Sequence, residues 1–203
     1  MKIEGRVGEI SASEGTYNTL ATDVYGNIQT VTARGKYAHA ALAGRLFYGA
    51  TQTGVTTSTT KHNTFTGLAL VNPTGSGKVF IVHEFSYAFN DSPAGDTNLS
   101  LAVGAVHSGY AADITVLCCR HGVGTSVAIL DSAATITGSA LSLVKHIATI
   151  GTNLTTDLLT PNGVVDLGGS IILDPGRVVC TDTTLATGGT SALFAFMWEE
   201  VDV

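Results

Sequence analysis

Charge is what this sequence has least of. Of its 203 residues only 10 are Lys or Arg and 16 are Asp or Glu, about half the charged share of an ordinary soluble chain. A surface so poor in charge is suited to being covered by neighbours. Cysteine is scarce too, and three residues do not make a disulfide framework. Cys118 and Cys119 are adjacent, and a bridge between chain neighbours is strained away from normal disulfide geometry. Buried reduced thiols are therefore expected, with an intersubunit bridge from Cys180 left open. No apolar run reaches the roughly 20 residues needed to cross a bilayer. The opening Met1-Lys2-Ile3-Glu4-Gly5-Arg6 lacks the apolar stretch of a secretory signal. Membrane insertion and export are not expected, and synthesis in a cytoplasm is.

The few charges are unevenly placed. Residues 1–61 hold six basic side chains (Lys2, Arg6, Arg34, Lys36, Arg45, Lys61) against four acidic ones (Glu4, Glu9, Glu14, Asp23). The remainder has four basic and twelve acidic, a net of −8 that the leading segment's +2 brings to −6 for the whole chain. An acidic body without a basic, aromatic-lined stripe argues against nucleic acid as a partner. A weakly basic leading segment fits one that lies on an acidic neighbour.

What is abundant is Gly, Ser, Thr and β-branched residues. In the first 60 residues Gly, Thr, Ser and Asn interrupt every few positions. The exception is a helix-like patch, Lys36-Tyr37-Ala38-His39-Ala40-Ala41-Leu42-Ala43, stopped by Gly44. Residues 1–60 read as an extended N-terminal arm with that one short helical patch, and residues 61–203 as a β-sandwich. In the second part, Val79, Ile81, His83, Phe85, Tyr87 and Phe89 alternate, which places His83 on an apolar face as a hydrogen-bonded core residue. Phe194, Phe196 and Trp198 alternate in the closing strand and should stack on one sheet face. Short strands are also expected at Gly67–Val71, Leu99–Ala105, Ile114–Cys119 and Val127–Leu130, whereas 141–150 fits a strand or a short helix. Asp174-Pro175-Gly176 reads as a turn, because Pro presets φ and Gly accepts a positive one. The fold class expected is all-β, a jelly-roll-like sandwich preceded by the arm.

Chemistry is harder to find. Gly75-Ser76-Gly77-Lys78 resembles a phosphate loop, but Asn72 stands where the motif needs its first Gly and Val79 where it needs Ser or Thr. A strand–turn–strand hairpin is the expectation there. Cys119 and His121 share a strand face and point in parallel, which does not give the contact of a nucleophilic pair. The six histidines are scattered without zinc spacing. The loop Asn90-Asp91-Ser92-Pro93-Ala94-Gly95-Asp96-Thr97-Asn98 is oxygen-rich enough for calcium, yet has the composition of a plain hairpin loop as well. No catalytic residue, metal or cofactor is assigned, and the chain is not expected to be an enzyme.

A set of short motifs carries a resemblance. Gly35-Lys36-Tyr37 is followed by Gly44-Arg45-Leu46-Phe47-Tyr48-Gly49-Ala50. Then come Gly67-Leu68-Ala69-Leu70-Val71-Asn72-Pro73-Thr74-Gly75-Ser76-Gly77-Lys78, Leu173-Asp174-Pro175-Gly176 and Phe196-Met197-Trp198-Glu199-Glu200. The chain resembles the small structural proteins of tailed-bacteriophage virions, with Asn72-Pro73 to Lys78 and Trp198-Glu199 carrying most of the likeness. The resemblance implies a non-enzymatic capsid decoration (cement) protein or a head or tail appendage. Location in the virion, a homo-oligomer with a trimer favoured, and contact with the capsid or neighbouring virion proteins go with it. The alternative is a carbohydrate- or receptor-binding β-sandwich of a phage appendage, with Tyr110 near the Asn90–Asn98 loop as its one hint. In the arm, Tyr17, Tyr25, Arg34, Lys36, Tyr37, Arg45, Phe47 and Tyr48 are the candidate assembly interface, since rings on a Gly- and Thr-rich ribbon are better buried against a partner than left in water.

Overall fold

A computed structural model describes residues 4–6, 17–19, 35–57, 67–90, 96–106, 109–132, 141–151, 162–185 and 192–203. The chain divides into two units, Met1–Lys36 and Tyr37–Val203. In the first, β1 (Glu4–Arg6) pairs antiparallel with β2 (Tyr17–Thr19) as a two-stranded sheet. The second unit begins with α1 (Ala38–Leu42) and continues through β3 (Leu46–Ala50), β4 (Ala69–Asn72), β5 (Lys78–Phe89) and β6 (Thr97–Ala105). After these come β7 (Leu117–Cys118), β8 (Ile129–Asp131), β9 (Ser142–Ile150), β10 (Asn162–Leu173), β11 (Arg177–Thr183) and β12 (Ala192–Asp202).

These ten strands form two antiparallel five-stranded sheets, ordered β10-β5-β12-β3-β7 and β8-β4-β11-β6-β9. The pairing is nested: β3 with β12, β4 with β11, β5 with β10 and β6 with β9. One long hairpin rolled on itself generates that order, and it is the jelly-roll arrangement expected from the sequence. The short strands β7 and β8, both from the β6–β9 connection, extend one side of each sheet.

The core lies between the sheets. Phe80, Phe85, Phe89, Phe194, Phe196 and Trp198 from the first sheet meet Leu68, Leu70, Leu99, Leu101, Leu130 and Val179 from the second, all buried. Phe85 packs on Phe196 and Phe194 with ring centroids 5.1 and 5.9 Å apart. The alternation in β12 thus does what its sequence predicts. A smaller apolar cluster, containing Ala69, Val71, Ala102, Val178 and Cys180, covers the outer face of the second sheet under Tyr110 and Leu141.

Two expectations need correction, and one open alternative is resolved. The sandwich starts at Tyr37, not near residue 61: β3 is one of its strands, and Val55 bridges Ala192 beyond it. The run Leu46–Ala50 reads as part of an arm in sequence because its pairing partner lies some 150 residues away, Gly44 precedes it and Gly49 interrupts it. Next, β5 does not keep one phase. Glu84 pairs with Met197 and Val82 with Trp198, leaving His83 as an extra residue. This bulge turns Phe85 and Phe89 inward together with Phe80 and Val82, and puts His83 on the outer face. Finally, the ambiguous segment 141–150 is strand β9. The helical patch is present as α1, closed by Gly44 at φ +72°.

Candidate functional site

The long strands β9 and β10 are the outermost of their sheets on one side of the sandwich, an open side, and the short strands β7 and β8 end the sheets on the other. Between the two open edges runs a cleft of about 570 Å³, lined by Val103, Ser142, Val144 and Arg177 from the second sheet and by Ser170–Leu173 from the first, with Asp174 of the turn between them. Four aliphatic side chains stand in solvent on these edges: Val164 (67% exposed), Ile172 (59%), Val144 (48%) and Leu143 (40%). Apolar side chains concentrated on two neighbouring unpaired edges are what a covered surface looks like before it is covered. A shallower trough of small residues, Ala50, Ser86, Ala88 and Ala195 with Leu193 and Val164, lies on the outer face of the first sheet.

The edge strands are interrupted. In β10 the register against β5 shifts between Asp166 and Ile171, with Gly168 and Gly169 at φ +56° and +76°. The break falls opposite His83, so the two irregularities meet. Around them the Tyr37 ring packs tilted against the His83 ring, centroids 4.7 Å apart, and Tyr37 donates its hydroxyl to Asp166 Oδ1 at 3.3 Å. His83 Nε2 stands 3.5 Å from Glu199 Oε2, and Arg45 donates to Glu199 Oε1 at 3.0–3.1 Å. Both His83 ring nitrogens are buried without a hydrogen bond, contrary to the bonded core residue expected. This Tyr–His–Glu–Arg group fastens residue 37 and the start of β3 onto the first sheet.

Of the residues assigned to the arm interface, Tyr37 and Arg45 are therefore engaged within the sandwich unit. Phe47 is 3% exposed and packs on Trp198, which removes it from any surface a partner could touch. Tyr48 lies on the outer face, its hydroxyl 3.2 Å from His121 Nε2. Lys36 is exposed at the end of the first unit. Tyr17 belongs to β2, with its side chain outside the described residues, as are Tyr25 and Arg34 altogether.

The tempting motifs resolve into structure. Gly75-Ser76-Gly77-Lys78 is a turn between β4 and β5, as expected, with both glycines at positive φ. Buried Asn72 organises it: Nδ2 donates to the Lys78 and Leu173 carbonyls at 2.8 and 2.9 Å, and Oδ1 accepts from Ser76 Oγ at 2.6 Å. Gly176 N–H donates to the Asn72 carbonyl, so the Asp174-Pro175-Gly176 turn is tied to the same residue. The Asn72–Lys78 and Leu173–Gly176 motifs are thus neighbours in space. Most of the Asn90–Asn98 loop lies outside the described residues. Among the described residues no group of three or more His, Cys, Asp or Glu is placed to hold a metal, and no helix is long and apolar enough to cross a membrane. Tyr110 is half-buried against the outer cluster with its hydroxyl enclosed, a poor platform for a sugar.

One constellation escaped the sequence reading. Ser100 Oγ lies 2.9 Å from His146 Nδ1, and Asp182 flanks Ser100 on the next strand. Base-activated nucleophiles need the imidazole between hydroxyl and carboxylate. Here the buried serine is in the middle, so the contact ties β9 to β6. Compared with known protein families, curated proteins and solved structures, the chain matches none.

Proposed function

We propose that this chain is a non-enzymatic structural component of a bacteriophage virion, acting as a homo-oligomer that attaches to the capsid or to neighbouring virion proteins. The observation that carries the reading is the open side of the jelly roll, where two unpaired edges display Leu143, Val144, Val164 and Ile172 to solvent. A chain with so little charge gains more from covering those edges by assembly than from exposing them. The resemblance of its short motifs to those of virion proteins suggests the particle as the place of assembly, and the leading 36 residues, a unit of their own, supply a second element for attachment.

The test is direct. An antibody to the purified chain should detect it in particles banded on a density gradient from lysates of cells carrying the gene, at a fixed ratio to the major shell protein. A chain found only in the soluble fraction, with no particle-bound share, overturns the reading.

A further inference from the structure

One member of the Tyr–His–Glu–Arg group is poorly served by the fold. Both His83 ring nitrogens are enclosed without a hydrogen bond, and the Tyr37 ring packs over the imidazole. Enclosed polar atoms without partners favour any motion that returns them to water. The segment that covers them is lightly held. Helix α1 has five residues and no side-chain cap at its N-terminus, far short of the length at which a helix stands alone. Ala40 is its one buried side chain, and neither apolar cluster includes a residue before Phe47. Tyr37 donates to Asp166, and Arg120 donates to the Leu42 carbonyl, where both bonds are open to competing water.

The hold changes at Gly44. That residue is buried, and a Cβ on Gly124 would collide with its carbonyl, so the β7–β8 connection clamps it in place. Just beyond it Arg45 is paired with Glu199, and Leu46 and Phe47 enter the core. A lightly held stretch therefore ends abruptly at a fixed point.

We propose that residues 37–43 form a strap that opens by local unfolding as far as Gly44 while the sandwich beneath it stays folded. Opening lifts Tyr37 from His83, returns the imidazole nitrogens to water and breaks the helical bonds of α1. It also adds residues 37–43 to the chain that leads into the sandwich. At about 3.3 Å per extended residue, the leading unit gains up to roughly 20 Å of reach without loss of any core contact. The strap is thus a built-in length adjustment for whatever the leading residues hold, and it does not depend on the virion reading.

Native-state hydrogen exchange on the full-length chain, followed by NMR in low concentrations of guanidinium, reads the opening. The Ala41, Ala43 and Arg45 amides donate to the Tyr37, His39 and Ala40 carbonyls. They should exchange about a hundredfold faster than the slowest β5 and β12 amides, with little dependence on denaturant. His83→Phe keeps a ring beneath Tyr37 and removes the unpaired nitrogens, so it should slow strap exchange about tenfold. Tyr37→Ala should speed it by a similar factor. Strap amides that exchange only together with β12, a His83→Phe chain with unchanged or faster strap exchange, or a Tyr37→Ala chain with undiminished protection overturns the proposal. A second measurement does not depend on whether His83→Phe folds. Diethyl pyrocarbonate should modify His83 in the folded, unmodified chain, and faster in Tyr37→Ala; modification that waits for global unfolding overturns the strap.

Discussion

At the scale of single residues, environment decides which groups react. Burial, with the neighbouring Cys118 second, raises the pKa of the Cys119 thiol. Cys118 and Cys180 are buried. A native protein at pH 8 should therefore show one alkylatable thiol, Cys119, reacting more slowly than a free cysteine peptide; three fast thiols in mass spectra would contradict the packing. Tyr110 is held well above the usual phenol range, by burial first and then by Cys180 and Asp131. In a spectrophotometric titration one tyrosine should stay protonated until the chain unfolds. Asp202 shows the opposite sign: the Lys78 ammonium, 2.6 Å away, lowers its carboxyl pKa. Its stabilising effect exists above the ordinary carboxylate value and is lost as pH falls through the lowered one. Lys78→Ala should move the Asp202 titration upward in NMR, with little change in melting temperature, because the pair is exposed.

Among the elements, the turns and β12 hold the tightest determinants. Asn72→Ala leaves two carbonyls and the Ser76 hydroxyl without their partner, and should cost roughly 2–4 kcal/mol in denaturant melts. Phe196→Ala should cost about 3–5 kcal/mol through the cavity it opens against Phe85. A loss below about 1 kcal/mol for either would mean the site relaxes in a way the packing does not allow. Turns and the closing strand were legible in sequence because their signals are local: Pro175-Gly176 and the alternation of Phe194, Phe196 and Trp198 need no distant information. The bulge at His83 was not. A one-residue insertion leaves the apolar alternation of β5 looking continuous, and only the register against β12 and β10 exposes the change of phase. For β3 the difficulty was similar, since a five-residue strand that itself contains Gly49 declares itself only through the partner it pairs with. The cleft, built from edges of two different sheets, had no sequence signature at all.

For the whole molecule, the boundary at Tyr37 makes a sharp pair of truncations. Removing residues 1–36 should leave a sandwich with a cooperative melt close to that of the full chain. Removing residues 1–50 takes β3 with it, strips the Phe47 contact from Trp198, and should abolish cooperative melting. If both truncations melt alike, β3 is not integral to the sheet. The nested pairing has a further effect, on time. Every main pair except the innermost joins segments far apart in sequence, and β3 waits for β12. Contact order is therefore high, which places refolding in the slow range of milliseconds to seconds. During synthesis the first sheet cannot close until β12 has left the ribosome, so β3 waits without its main partner while the residues between them are made. The aggregation hazard of the sandwich is thus greatest before β12 emerges, and slower translation of that stretch would lengthen it.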